Sequence, residues 1–391
     1  MTFELPPYPY DRLSSLGDLA RTLPGGVVDC SIGTPCDPPL PAVIRALSSS
    51  GAERGYPASA GGPELRQAAT DWLVRRFDLP PLSPNGVVAC VGTKEFVASV
   101  PHYLRLRNPE RDTVLYPAVS YPTYAMGASM AGCRAVGVPP APGSLGGLDL
   151  SAIEEEDAAR ALVLWSNSPS NPTGALGDLG AEAAWGRAHG VPVFSDECYA
   201  EFTWDGPPRS ILQHGAQGVV AVHSLSKRSN LAGVRVGFFA GDSELVEFLR
   251  AVRQHAGLMV PGPAQAAGVV ALSDDGHVHE QRARYMERLT FLAKAFGQFG
   301  CPVDLPAGGF YLWVPVPPRF ADAWEMAHTF AEQGGILISP GDLYGEGGAG
   351  HARVAVVQPM ERLALVAERL SSAPSLPTAG EVRVAKNPYR R

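Results

Sequence analysis

The sequence predicts an α/β protein with a mostly parallel β-sheet covered by helices. Two observations carry this reading. Short apolar, strand-like runs alternate with helix-like segments through the middle of the chain, the pattern of repeated β–α units. The conspicuous polar residues fall just after those runs: Gly92-Thr93-Lys94, Tyr121, Asn167 to Gly174, Asp196 to Tyr199, and Ser224 to Lys227. In open α/β sheets, ligands bind beyond the carboxyl ends of the strands.

Taken in order, Val87 to Val91 reads as a strand and Lys94 to Leu104 as a helix. Thr113 to Tyr116 is a short strand. Ala161 to Trp165 is another, followed by a loop rich in Ser, Asn and Pro. Val191 to Phe194, Val219 to Val222 and Val234 to Ala240 complete the set. From about residue 275 the pattern changes. Glu280 to Phe299 has the spacing of a long amphipathic helix. Gly308 to Val314, a helix near Ala321 to Gln333, and strands near Ile336 to Ile338 and Arg353 to Val357 follow. The expected division is therefore 1–44, an N-terminal segment packing with a smaller domain; 45–274, a large ligand-binding domain; 275–370, the smaller α+β domain; and 371–391, a Pro/Ser-rich, then basic tail.

The chain has 391 residues, enough to bury a sizeable core. Its net charge of −7, with no basic cluster, disfavours a nucleic-acid partner. No apolar stretch is long enough to span a bilayer. Met1 to Tyr10 is proline-rich and lacks the layout of a signal peptide, which leaves the cytoplasm as the default expectation. The six cysteines are scattered without a CxxC pair, so neither a zinc site nor a disulfide framework is indicated, and most read as buried small hydrophobes. No metal is expected.

Lys227 is the most informative residue. It lies on a connection after a strand, with Ser224 and Ser226 at −3 and −1 and Arg235 eight residues on. A lysine so placed can become a neutral amine that condenses with an aldehyde, and the two serines and the arginine are donors suited to a phosphate. Aldehyde plus phosphate suggests pyridoxal 5′-phosphate (PLP). Lysine is scarce, occurring only at 94, 227, 294 and 386. Asp196 ends a buried-looking strand and suits a protonated ring nitrogen, which must be kept for the ring to act as an electron sink. Tyr199 and the amide of Asn171 suit the ring oxygen. Thr93 and Lys94 open a helix whose free N–H groups suit a phosphate. Tyr121 can stack on the ring, and Arg353 can clamp a carboxylate through two bonds. Each has a plainer reading: a surface lysine for Lys227, a cap or turn for Asp196, packing for Tyr199, a turn for Asn171-Pro172-Thr173-Gly174, and a surface salt bridge for Arg353.

Together and in this order the motifs resemble the class I/II aminotransferases of PLP fold type I. The match rests on Asn171-Pro172-Thr173-Gly174, Asp196-Glu197-Cys198-Tyr199, Ser224-Leu225-Ser226-Lys227 with Arg235, and the late Arg353, and reaches to about residue 365. The resemblance implies a large domain with a mainly parallel seven-stranded sheet, a small domain, and an obligate homodimer with shared sites. It gives Lys227 the covalent link to the cofactor, Asp196 the ring nitrogen, and Asn171 and Tyr199 the ring oxygen. Thr93, Lys94 (through its backbone N–H), Ser224 and Arg235 would hold the phosphate. Tyr56 would reach the phosphate of the neighbouring subunit, Gly33 lies in a segment closing over substrate, and Arg353 would bind the substrate carboxylate. A closer resemblance is to actinobacterial succinyldiaminopimelate aminotransferases. It rests on Ser31 to Pro35, Val91 to Glu95, Gly257 to Pro263 and Pro340 to Glu346. It implies amino transfer from N-succinyl-L,L-diaminopimelate to 2-oxoglutarate in lysine synthesis. An acetylornithine or other amino-acid aminotransferase, and a PLP-dependent cystathionine β-lyase, use nearly the same constellation. A non-catalytic regulator would need a DNA-binding module, and residues 1 to 30 are too short and proline-rich for a winged helix.

Overall fold

The computed structural model describes residues 7–372. The expected tail lies outside the described residues, except that Ser371 and Ser372 close the last helix, Met360–Ser372. The strands in chain order are β1 (Val28–Asp29), β2 (Val87–Cys90), β3 (Thr113–Pro117), β4 (Arg134–Val138), β5 (Ala161–Asn167), β6 (Val193–Asp196), β7 (Val219–Ser224), β8 (Gly237–Gly241), β9 (Tyr311–Pro315), β10 (Ile336–Leu337), β11 (Ser339–Pro340) and β12 (His351–Ala355).

Seven of them form one sheet in the order β2-β8-β7-β6-β5-β3-β4. β8 alone runs against its neighbours; the other pairs are parallel. The expected mainly parallel, seven-stranded sheet is therefore observed. All seven residues of β5 are buried, as a strand covered on both faces requires. One apolar cluster covers one face, with Trp72, Leu164, Val193 and Ala221. Another covers the opposite face, with Phe96, Trp165, Phe194 and Val222.

The expected strand over Val234 to Ala240 begins only at Gly237. Arg235 adopts a left-handed backbone conformation, φ 62°, and residues 232–234 form a turn. The strand read over Val191 to Phe194 is shifted to β6, where Pro192 precedes it. The helix expected over Ala321 to Gln333 is Ala323–Thr329 followed by a π-turn, Phe330–Gly334.

A second core gathers around β9, β11 and β12, an antiparallel three-stranded sheet. The helix Gly276–Gln298 packs here. It buries Val278, Gln281, Tyr285, Leu289, Leu292 and Phe296, one stripe at three- and four-residue spacing. The N-terminal region divides between the two cores. Leu13, Leu16, Ala20, Val28 and Cys30 join the second core, and β1 pairs in parallel with β10. The helix Pro41–Ser48 instead packs on the helix Gly262–Ser273, and its Val43 belongs to the first core. Among the described residues no helix is long and apolar enough to cross a membrane, and no His/Cys/Asp/Glu group could hold a metal. Cys30, Cys90, Cys198 and Cys301 are buried, Cys133 is half-buried and Cys36 is exposed.

Candidate active site

Because β2, β3, β5, β6 and β7 point the same way, their carboxyl ends open on one cavity of about 390 Å³. Its walls carry Gly33, Thr93, Lys94, Tyr121, Asn171, Asp196, Tyr199, Ser224, Ser226, Lys227, Arg235 and Arg353. Only Tyr56, among the residues singled out in the sequence, lies elsewhere: its side chain is 99% exposed.

Lys227 sits in a one-turn helix after β7, capped by Ser224, whose Oγ accepts from the Ser226 N–H at 3.1 Å. Lys227 Nζ donates to the carbonyl of Gly33. Desolvation pulls its pKa down to about 8; Arg353 and Arg235 add repulsion, while the nearby Cys198 and Asp196 oppose the shift. A lysine that loses its proton there is the amine that carbonyl condensation needs.

Asp196 ends β6 and is buried. One carboxylate oxygen accepts from the Tyr124 hydroxyl at 3.0 Å and the other from the Cys198 N–H at 3.2 Å. Burial raises its pKa, partly offset by those hydrogen bonds. A buried carboxylate in want of a cation suits a protonated ring nitrogen.

The phosphate-type donors converge at the start of the helix Thr93–Arg107. Gly92 precedes it with φ 75°, and a Cβ there would come within 1.9 Å of the Arg235 guanidinium. Only glycine allows Arg235 to lie across the helix end beside Ser224 and Ser226. Arg235 itself is held by the carbonyl of Ala232 at 2.8 Å.

Arg353, on β12, is buried and stacked between the rings of Tyr311 and Tyr344, at 4.4 and 4.7 Å. It donates to Asn171 Oδ1 at 2.7 Å and to the Ser31 carbonyl, while its Nε has no partner among the described residues. It is therefore no surface salt bridge. The bond to Asn171 Oδ1 also aims that side chain: its NH₂ is left to donate. Gly33 leaves no room for a side chain, since a Cβ would meet the Tyr311 hydroxyl at 2.2 Å. Its flanks are anchored by Ser339 Oγ on Ser31 O at 3.0 Å and by Arg288, which grips Asp37 through two bonds of 2.6 and 2.7 Å.

Sequence reasoning missed Tyr124, Tyr311, Tyr8, Tyr10 and Cys198, which also line the cavity. The Tyr311 hydroxyl lies 2.6 Å from that of Tyr199, so the oxygen assigned to the cofactor from sequence already has a protein partner. Tyr124 carried one signal, its three-residue spacing from Tyr121 at a helix start. Cys198 lies inside the Asp196 to Tyr199 motif and was passed over as packing, whereas Tyr8, Tyr10 and Tyr311 arrive from distant segments.

The residues fit PLP: an amine of lowered pKa, a buried carboxylate, a glycine-dependent anion cradle and a buried guanidinium with an unpartnered Nε share one cavity. Comparison with known proteins agrees. Residues 26–370 match the family model for aminotransferase class I and II. The chain is 42% identical over 379 residues to the probable aminotransferase Rv1178 of Mycobacterium tuberculosis, covering 94% of this chain and 85% of that one. It is 40% identical over 377 residues to the 4-dedimethylamino-4-oxo-anhydrotetracycline transaminase OxyQ of Streptomyces rimosus, covering 94% and 99%. Among solved structures, a probable N-succinyldiaminopimelate aminotransferase from Thermus thermophilus superposes with a TM-score of 0.82 at 32% identity, covering 93% and 99%. The motifs, the seven-stranded sheet and the cavity at its carboxyl end thus lead to one conclusion: this chain belongs to the PLP-dependent class I and II aminotransferases.

Proposed function

We propose that the protein transfers the amino group of N-succinyl-L,L-diaminopimelate to 2-oxoglutarate. The observation that carries the amino-acid part of this reading is Arg353, a buried guanidinium with an unpartnered Nε, in the same cavity as the amine of Lys227. The succinylated donor is favoured by the subfamily stretches at Ser31 to Pro35 and Pro340 to Glu346, and by the likeness to the Thermus protein.

In this reading Lys227 holds the cofactor, Asp196 faces its ring nitrogen, and Asn171 and Tyr199 face its ring oxygen. Tyr121 lies on the ring. Thr93 and Lys94 (by backbone N–H), Ser224, Ser226 and Arg235 hold the phosphate. PLP, when bound, supplies a carbonyl for the donor amine and a ring that accepts the electron pair left when the Cα proton departs. Arg353 orients the donor by its carboxylate. Lys227 Nζ, a base of pKa about 8 on the same wall, carries the proton from Cα. The cavity that would hold the donor is lined from both units, by Asp196 and Lys227 of 45–274 and by Tyr311 and Arg353 of 275–370.

A panel of amino donors with 2-oxoglutarate, scored by the glutamate formed, tests the proposal. N-succinyl-L,L-diaminopimelate is expected to be the best donor. Better use of acetylornithine, or preference for a tetracycline-type ketone as acceptor, overturns the substrate reading and leaves transamination standing. Pyruvate release from cystathionine without an oxo-acid acceptor identifies a β-lyase instead.

Both amino substrates pass through one site, so Arg353→Lys is expected to lower kcat/KM for donor and glutamate alike. The expected loss is roughly 10- to 100-fold, because an ammonium cannot reproduce a planar two-point contact. Loss in only one half-reaction contradicts the assignment.

The protein acts as a homodimer in the cytoplasm, and Tyr56, fully exposed on the single chain, completes the phosphate site of the partner. Tyr56→Phe is expected to reduce activity roughly 10-fold or more, the worth of a charged hydrogen bond. Co-expression with Lys227→Ala then restores a share of it, because each mixed dimer contains one intact site. A fully active monomer in dilute gel filtration excludes this arrangement.

A further inference from the structure

Tyr311 lines the cavity, and the proposed function gives it no role. It reaches the site from β9, in the three-stranded sheet. Tyr199 comes from the other sheet, at the start of the short helix Ala200–Phe202 that follows β6. In the antiparallel pair of β9 and β12, Tyr311 stands opposite Ala355, so Arg353, two residues away, is its diagonal neighbour on the same face. That register places the Arg353 guanidinium over the Tyr311 ring, 4.4 Å from its centre. The Tyr311 hydroxyl then meets the Tyr199 hydroxyl at 2.6 Å, and both side chains are buried. The backbone at Gly33 closes over the Tyr311 oxygen, where no side chain would fit.

Burial pushes up the pKa of both phenols, Tyr311 to about 12 and Tyr199 well above the ordinary value, so both keep their protons at neutral pH. The charged and titratable groups around the pair are Arg353, Cys198, Tyr10, Tyr121 and Tyr285, of which only Arg353 is charged at neutral pH. Two protonated hydroxyls in contact form one hydrogen bond. The accepting hydroxyl keeps its own proton for a third partner. The guanidinium over the Tyr311 ring draws electron density from that phenol and makes it the better donor of the two. We propose that Tyr311 is a positioning residue for amino transfer: its hydroxyl donates to Tyr199 and leaves the Tyr199 proton directed at the ring oxygen of the cofactor. The inference rests on the proposed placement of Tyr199 against that oxygen. A hydroxyl that accepts one hydrogen bond donates the next more strongly, so Tyr311 also strengthens the bond that Tyr199 makes. That bond favours the ring oxygen in its unprotonated form, since an anionic acceptor gains most from a donor.

The test is a pH titration of the visible absorbance of the PLP-loaded protein, without substrate, in the wild type, Tyr199→Phe, Tyr311→Phe and the double variant. A weaker donor at the ring oxygen favours its protonated form, so the midpoint should move up. Tyr311→Phe keeps the ring beneath Arg353 and deletes only the hydroxyl. A rise of roughly 0.5 to 1 pH unit is expected for it, and a larger one for Tyr199→Phe. The double variant should shift no further than Tyr199→Phe alone, because Tyr311 acts through Tyr199. With glutamate as donor, kcat should fall roughly 3- to 10-fold in Tyr311→Phe while KM stays within about twofold, since carboxylate binding at Arg353 is kept. An unchanged midpoint in Tyr311→Phe, with Tyr199→Phe shifted, overturns the inference and leaves the placement of Tyr199 standing. Additive shifts in the double variant also overturn it, for Tyr311 would then act on the cofactor independently of Tyr199. An unchanged midpoint in Tyr199→Phe removes the placement of Tyr199 and the inference with it.

Discussion

Lys227→Ala is expected to abolish turnover, by about 10⁴-fold or more, or roughly 5.5 kcal/mol in the barrier. In the proposed reading two functions disappear together: the covalent hold on the cofactor and the base that carries the Cα proton. Among the described residues no other lysine can replace it. Lys294 lies in the helix Gly276–Gln298 away from the cavity, and Lys94 points its amine at Tyr8 at the mouth. Borohydride reduction of the wild type followed by peptide mapping should place the cofactor on Lys227, and the variant should yield no adduct. An adduct on Lys94 would sink the assignment. The pH dependence has a definite sign. Burial and two neighbouring arginines disfavour the ammonium, so the reactive neutral amine accumulates as pH rises through about 8 rather than near 10.5. The rate at which stripped enzyme takes up PLP should therefore climb through that lower range. A climb only near the ordinary lysine value would show that Lys227 is solvated in the free enzyme.

Asp196→Asn should keep some PLP yet lose most activity, roughly 10²- to 10⁴-fold or about 3–5 kcal/mol. The substitution is nearly isosteric. Tyr124 can still donate to the amide oxygen, and the second core is untouched. What changes is charge. Without a buried carboxylate the ring nitrogen of bound PLP would give up its proton, and electron withdrawal from Cα would weaken. The measurement is kcat alongside cofactor occupancy: occupancy largely kept with kcat collapsed supports the role, and near wild-type turnover shows that Asp196 is only structural. In the wild type, burial raises the pKa of this carboxyl, so a cation facing it would favour its ionised form.

The parallel sheet was legible because its central strands are covered on both faces and so appear as unbroken apolar runs, as in β5. β4 escaped notice for the opposite reason. It is an edge strand, and of Arg134, Ala135, Val136, Gly137 and Val138 only the last is buried. The start of β8 was misplaced because Val234 and Val236 look like strand residues, whereas the left-handed backbone at Arg235 turns the chain between them. Tyr56 could be singled out only by its motif, since its side chain is fully exposed on the single chain and packs against nothing there.

The sequence by itself determined the fold class and the local chemistry around Lys227. Both are written in short-range patterns: an apolar run, a serine cap, an aspartate at a strand end. Only the tertiary structure decided who partners whom. Tyr124 meets Asp196 across 72 residues, Tyr199 meets Tyr311 across 112, and Arg353 meets Asn171 across 182. It also divided the N-terminal region, giving Val28 to one core and Val43 to the other. The physical reason is that periodicity reports which residues want burial, not which surface will bury them. Partners far apart in sequence are chosen when whole elements pack together, and an arginine is enclosed only where distant tyrosines and carbonyls meet around it.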